Sequence, residues 1–241
     1  MWAYKVLFEM PYDRPWRLRR RLHIDYVVEL DRALGLGTPA PQRLQQAFRS
    51  PTRTSRLDVA LTALYFTWEL WPHAVLAWIL RRHPERFARA AGLVGATIDL
   101  TLIGYWALPT APPWWASQVA GRMDGSVQRV AVETRRRLRG QPRQRGHESR
   151  GANPWASMPS DHFASSAIVA LTLGEVGHGA VGWVYALSLG FALVYLGEHY
   201  VTDLIAGLLL ATAVKGAEPA LRLHSAGVLQ MLGRLEQRVK G

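Results

Sequence analysis

The sequence predicts an all-α fold: an integral membrane helical bundle of about five spans, with interfacial amphipathic helices at both ends. Long apolar segments alternate with arginine-dense ones, although the mean hydropathy of the 241 residues is only −0.02. Ten tryptophans and a hydrophobic fraction of 49% are high for a soluble chain with a net charge of +11. This segregation is typical of apolar spans whose basic flanks meet lipid headgroups.

Composition also excludes cysteine-dependent sites and indicates which partners the chain binds. The chain has no cysteine, so it forms neither a disulfide framework nor a cysteine-ligated metal site. Arginines beside apolar spans more often meet anionic lipid than nucleic acid. We therefore predict membrane lipids, and no nucleic acid, as partners. The start MWAYKVLFEM lacks the charged start, apolar core and cleavage site of a signal peptide.

Residues 1–56 are predicted to form interfacial helices. Apolar residues recur at every fourth position of the first helix: Leu22, Tyr26, Leu30 and Leu34. Gly35 ends this pattern, and a second short helix follows over residues 42–49, between prolines. The spacing predicts an amphipathic helix that lies at the membrane surface rather than crossing it.

Five apolar segments form the predicted spans of a membrane domain at residues 57–217. They are Leu57–Leu80, Phe87–Leu108, His162–Val176, Ala180–Leu196 and Tyr200–Val214. Pro72 is expected to kink the first span, because proline lacks the N–H group that a helix interior needs. A polar, arginine-rich loop at 116–152 separates the second and third spans, and an amphipathic tail follows at 218–241.

The third and fifth spans each begin with a polar segment that contains a histidine. The sequence Pro-Ser-Asp-His at residues 159–162 stands where a loop becomes a helix, which predicts an anion site at the positive end of the helix dipole. His199 and Asp203 are four residues apart, so they share a helical face. The carboxylate can fix one imidazole tautomer and stabilise its cation, which suits a nucleophilic histidine. Short turns make neighbouring spans antiparallel and bring both histidines to the same membrane side.

These segments resemble the second and third motifs of the type 2 phosphatidic acid phosphatase superfamily, which also contains vanadium haloperoxidases. Pro159, Ser160 and His162 match the family's Pro-Ser-x-His. His199 and Asp203 match the end of its other motif, in which Ser-Arg precedes the histidine and aspartate. The resemblance implies a membrane enzyme that acts on a lipid phosphate and needs no metal or other cofactor.

The chain departs from the family pattern in two places. Ala192 and Leu193 stand where the family has Ser-Arg. The first motif, in which lysine precedes Arg-Pro by a fixed spacing, is absent, because Lys5 is two residues too far from Arg14. The proline-rich segment Tyr105–Trp115 resembles the branch that contains inositol phosphorylceramide synthases and their actinobacterial relatives.

The arginine-rich loop offers substitutes for the cations of the missing first motif. Arg122, Arg129 and Arg135 are the candidates, and we predict that Arg122 binds phosphate. The alternative is that the loop arginines only face solvent and lipid headgroups.

The resemblance also implies a role for each residue of the two histidine-bearing segments. His199 would be the nucleophile and form a phosphohistidine, Asp203 would orient it, and His162 would be the general acid and then the base. Backbone N–H groups around Ser160 and Asp161 would bind phosphoryl oxygens. Relatives tend to have glycine or an apolar residue in place of Asp161, whose charge either weakens anion binding or caps the helix and points away.

Several alternatives stay open at the level of sequence. Water or a second alcohol can resolve the intermediate, which distinguishes hydrolysis from headgroup transfer. The histidines can also be structural, in a membrane protein that binds anionic lipid or a phospholigand without catalysis. Most of the 29 basic residues lie on the side of the two histidines, which favours a cytoplasmic site, whereas relatives usually work outside. We predict a bacterial plasma membrane and leave the side and the oligomeric state open.

Overall fold

The computed structural model describes residues 20–50, 52–141 and 155–219, which are helical and contain no β-strand beyond isolated bridges. The α-helices are α1 Asp25–Leu34, α2 Ala40–Phe48, α3 Arg56–Thr67, α4 Trp71–Arg82, α5 Pro84–Ala107, α6 Pro113–Gln118, α7 Val130–Leu138, α8 Asp161–Gly174, α9 Gly179–Tyr195 and α10, residues 201–219. Most of the predicted C-terminal tail, and the loop from residue 142 to 152, lie outside the described residues.

Each of the five predicted apolar segments is helical. The first is divided into α3 and α4 by a break at residues 68–70, and Pro72 occupies the first turn of α4. This position confirms the predicted interruption, since a proline at a helix start loses no hydrogen bond. The other four segments correspond to α5, α8, α9 and α10.

Helix length supports a smaller number of membrane spans than the sequence predicts. Among the described residues, Pro84–Ala107 is the one helix that is long and apolar enough to cross a membrane, and Gly179–Tyr195 is apolar but shorter. About 20 apolar residues are needed to cross a bilayer as one straight helix. The bundle of five spans therefore stays a prediction.

Helix α8 lies at the centre of the bundle and packs on α4, α5 and α9. Its Ile168 and Val169 are buried with Ile79 of α4 and Leu93 of α5. Gly182 lets α9 approach closely, because a Cβ atom there would lie 2.5 Å from the Ala170 Cα atom. Gly207 lets α10 approach the start of α8 in the same way, because a Cβ atom there would lie 2.8 Å from the Ser160 carbonyl oxygen.

Helix α1 packs on the bundle through buried residues that include Val27 and Asp31. Of the predicted apolar stripe, Tyr26 packs against the cluster around Val27, whereas Leu30 and Leu34 are 50% and 55% exposed. The C-terminal half of the stripe therefore faces outward, and the location of α1 at a membrane surface stays a prediction.

Asp31 connects α1 to the starts of two other helices. Its Oδ1 atom accepts hydrogen bonds from the Val201 and Thr202 N–H groups at 2.9 and 3.4 Å, and its Oδ2 atom accepts one from Ala40 N–H at 2.8 Å. Burial raises the pKa of Asp31, and these backbone hydrogen bonds oppose that rise. One carboxylate thus caps both α2 and α10.

Replacing Asp31 by alanine should destabilise the protein by about 2 kcal/mol or more, because helix caps contribute about 1 kcal/mol each and buried N–H groups lose their acceptor. Asp31→Asn should cost less, since the amide oxygen still accepts from one helix start. Thermal and denaturant unfolding in detergent would measure both variants. Equal stability of Asp31→Ala and wild type would contradict the capping role.

Candidate active site

The short segment between α9 and α10 places His199 beside the first turn of α10. Gly197 makes the turn with a φ angle of 76°, a conformation that suits glycine. The Nδ1 atom of His199 lies 3.2 Å from the Oδ2 atom of Asp203. Both side chains are buried, with exposed fractions of 4% and 0%, so the predicted pair is formed inside the protein.

The carboxylate of Asp203 is held by groups from two other segments of the chain. Its Oδ2 atom accepts hydrogen bonds from the Ser157 hydroxyl at 2.6 Å and from the Tyr200 N–H group at 2.9 Å. The Ser160 N–H group donates to the Asp203 carbonyl oxygen at 3.0 Å. A buried carboxylate needs such donors, and they also join the start of α8 to α10.

His162 completes a line of three side chains. Its Nδ1 atom lies 3.2 Å from the Nε2 atom of His199. The ring stacks on Tyr65, with centroids 5.3 Å apart, and packs against Trp68 at 4.2 Å. The structure therefore brings His162, His199 and Asp203 together, with an aromatic wall from α3.

The start of α8 uses its N–H groups within the fold. The Ser160 hydroxyl caps the helix by accepting from Phe163 N–H at 3.3 Å, and the Asp161 N–H group donates to the Tyr105 hydroxyl at 3.2 Å. The Asp161 carboxylate is buried and accepts from the Thr101 hydroxyl of α5 at 3.0 Å. Asp161 was expected either to weaken anion binding or to point away from the site. Its hydrogen bond to Thr101 favours the second alternative.

The three candidate arginines lie in different surroundings. Arg122 pairs with Asp25 of α1, with Nε and Oδ1 2.5 Å apart, and both side chains are exposed. The Arg135 guanidinium lies 4.8 Å from the ring centre of Phe66. Arg129 donates from Nε to the Glu198 carboxylate at 2.9 Å. Arg129, and not the predicted Arg122, thus contacts the residue next to His199.

Sequence reasoning misses the supporting residues because they come from separate elements. Ser157 is signalled only by its place just before the Pro-Ser motif, and Tyr65 and Trp68 look like ordinary span residues. Glu198 is expected to have a structural or electrostatic role, and its bond to Arg129 gives that role a partner.

A sequence model of the PAP2 superfamily, the type 2 phosphatidic acid phosphatases, matches residues 25–217. The chain belongs to the PAP2 superfamily. Comparison with solved structures finds LpxE of Aquifex aeolicus at a TM-score of 0.52 and 17% sequence identity, over 75% of this chain and 90% of LpxE. At this identity the likeness is evidence for the fold alone. A search of curated proteins finds no significant match.

The match extends the PAP2 assignment well beyond the two short motifs. It begins at Asp25, so it includes the N-terminal helices α1 and α2 as well as the five apolar segments. The superfamily assignment made from the motifs is confirmed. The resemblance to the inositol phosphorylceramide synthase branch stays a prediction.

Proposed function

We propose that this PAP2 superfamily member is a metal-independent phosphatase or phosphotransferase that acts on a lipid phosphate through a phosphohistidine at His199. Family membership and the LpxE-like fold support a phosphatase that acts on lipid phosphate. The observation that carries the mechanism is the line Asp203–His199–His162, with two contacts of 3.2 Å.

The first step is attack by His199 on phosphorus. Asp203 accepts a hydrogen bond from Nδ1–H and keeps the ring proton there, so the lone pair of the ring is on Nε2, which faces His162. The Nε2–P bond forms while the bond from phosphorus to the lipid oxygen breaks. His162 gives a proton to that oxygen, and the free lipid alcohol leaves.

The second step returns the enzyme to its starting state. His162, now without its proton, takes one from water, and the water oxygen bonds to phosphorus as the P–Nε2 bond breaks. With a phosphomonoester the products are the lipid alcohol and inorganic phosphate. An alcohol of a second lipid can replace water, and the reaction is then transfer.

The two histidines must separate when substrate binds. A nucleophile lies about 3 Å from the atom it attacks, and a proton donor needs about 2.8 Å to the leaving oxygen, so a phosphoryl group does not fit in a 3.2 Å gap. We expect a crystal structure with vanadate on His199 to show the His162 ring moved from Nε2. An unmoved ring would contradict its role as acid.

We further propose that the bundle spans a bacterial plasma membrane. Large apolar side chains project from the outer faces of α9 and α10: Val181, Val184, Leu187, Ile205 and Leu209 are 59%, 67%, 62%, 43% and 63% exposed. Contiguous exposed apolar surface is rare on soluble monomers and is expected where helices meet lipid. The protein should stay in the membrane fraction after an alkaline carbonate wash. Its release by that wash would contradict the proposal.

The test of function is phosphate release in nanodiscs without added metal. Phosphatidic acid, a polyprenyl phosphate and a polyprenyl diphosphate serve as substrates, each with and without a lipid alcohol as acceptor. Release that vanadate inhibits is the expected result. Formation of a phosphorylated acceptor without phosphate release would identify a transferase, because transfer to an alcohol frees no inorganic phosphate. Binding of these lipids with no turnover under either condition would overturn catalysis and support a lipid-binding protein.

A further inference from the structure

The phosphoryl chemistry proposed for this site creates an electrostatic problem. Glu198 flanks the nucleophile and Asp203 hydrogen-bonds to it, so both carboxylates would repel a phosphate. A cation must compensate for this charge, and the arginine and lysine positions of the family motifs are missing from this chain. Arg129 is the arginine that the described contacts place against the segment with His199.

Backbone contacts fix the chain around Arg129 to this segment. The Val130 N–H group donates to the Leu196 carbonyl oxygen at 3.1 Å. The side-chain amide of Gln45 donates to the carbonyl oxygens of Gln128 and Tyr195 at 2.9 and 2.8 Å. The contact is close enough that a Cβ atom at Gly197 would lie 2.6 Å from the Gln128 oxygen. These contacts hold the backbone at Arg129 in place against the α9–α10 turn.

Two side chains then hold the guanidinium group. Glu198 accepts from Nε at 2.9 Å, and the Trp114 ring lies 4.8 Å from the Cζ atom. The backbone N–H group of Trp114 donates to the Gly197 carbonyl oxygen at 3.1 Å, so the residue that carries this ring is bonded to the same turn. The guanidinium group is thus hydrogen-bonded along one edge and packed on one face, so its orientation is fixed. A planar group with a fixed orientation suits recognition of phosphate oxygens.

The ion pair between Arg129 and Glu198 is only partly exposed to water. The Arg129 side chain is 21% exposed and that of Glu198 is 9% exposed, so the pair is partly shielded from water and its interactions are screened less than those of a surface pair.

On the basis of the proposed function, we infer that Arg129 is the phosphate-binding cation of this site and that Glu198 is its positioning residue. Residues 127–130 cross over the α9–α10 turn. Arg122, the candidate that the sequence favours, is seven residues earlier and has its own exposed partner in Asp25, so the experiment compares the two arginines as competing candidates.

The experiment compares Arg129→Gln, Arg129→Lys and Arg122→Gln in phosphate release and in binding of inorganic vanadate by calorimetry. Arg129→Gln should lower kcat/KM about 100-fold or more, as expected for loss of a donor to a charged transition state. Arg129→Lys should retain part of the activity, because it keeps the charge without the fork. Arg122→Gln should stay within about threefold of wild type.

Vanadate binding is measured so that failure of the inference about Arg129 can be distinguished from failure of the proposed function. If wild type neither releases phosphate from any lipid nor transfers a phosphoryl group to the lipid alcohol, the proposed function fails, and vanadate affinity still decides the role of Arg129. At least tenfold weaker vanadate binding by Arg129→Gln supports the inference, and wild-type affinity overturns it. Should Arg129→Gln not fold, the same criterion is applied to Arg129→Lys.

Glu198 is tested in a double-mutant cycle with Arg129. Glu198→Gln should lower kcat/KM about tenfold in the wild-type background, where the arginine loses its partner, and should cause no further loss in the Arg129→Gln background, where it removes only a charge that repels phosphate. Equal losses in both backgrounds would show an independent role and overturn the assignment of Glu198.

Discussion

Replacing His199 by alanine is expected to abolish phosphate release, with kcat reduced about ten-thousand-fold or more. The imidazole provides the side-chain atom that forms a bond to phosphorus in the proposed mechanism, and alanine has no atom that can attack in its place. Phosphate release in nanodiscs would measure the loss.

The matched control is His83→Ala, which removes a partly exposed histidine between α4 and α5. This control should keep wild-type activity and stability. His199→Ala should also remain folded, since the described hydrogen bonds of the ring are those to Asp203 and His162. Residual turnover of more than about one per cent in His199→Ala would contradict the nucleophilic role.

Asp203→Asn should lower kcat about a thousand-fold or more, with a smaller change in KM. The carboxylate accepts from the ring Nδ1–H, the Ser157 hydroxyl and the Tyr200 N–H group. An amide can present its NH₂ group to the ring, which would move the ring proton to Nε2 and remove the lone pair that attacks phosphorus.

Ser157→Ala is the matched control for Asp203→Asn. It removes one donor to the same oxygen but leaves the charge and the ring contact in place, so we expect a loss of about tenfold or less. Phosphate release by both variants, with unfolding measured in parallel, gives the comparison. Similar losses in the two variants would contradict a special role for the carboxylate charge.

Sequence patterns predicted those helices and contacts that are determined within one segment of the chain. The apolar runs gave α5, α8, α9 and α10, and the four-residue spacing of His199 and Asp203 gave their contact. The meeting of His162 with His199 followed from two short turns, which force neighbouring helices to be antiparallel. These inferences needed no knowledge of tertiary packing.

The rest depends on contacts between distant segments, which periodicity does not encode. Arg122 and Arg129 lie in the same polar stretch and have similar neighbours in sequence, so only the fold distinguishes them. The contacts of α1 depend on the fold in the same way. Val27 and Val28 meet the protein, and Asp31 caps a helix 170 residues further along the chain, which the four-residue leucine spacing does not indicate.

The central claim is that a phosphoryl group is carried by His199. The most direct measurement is to mix the protein with lipid phosphate labelled in the phosphoryl group, quench in alkali and map the label by peptide mass spectrometry. The account predicts an acid-labile, alkali-stable phosphohistidine at His199 that is absent from His199→Ala. Label on another residue, or phosphate release with no labelled protein at any time during turnover, would contradict it.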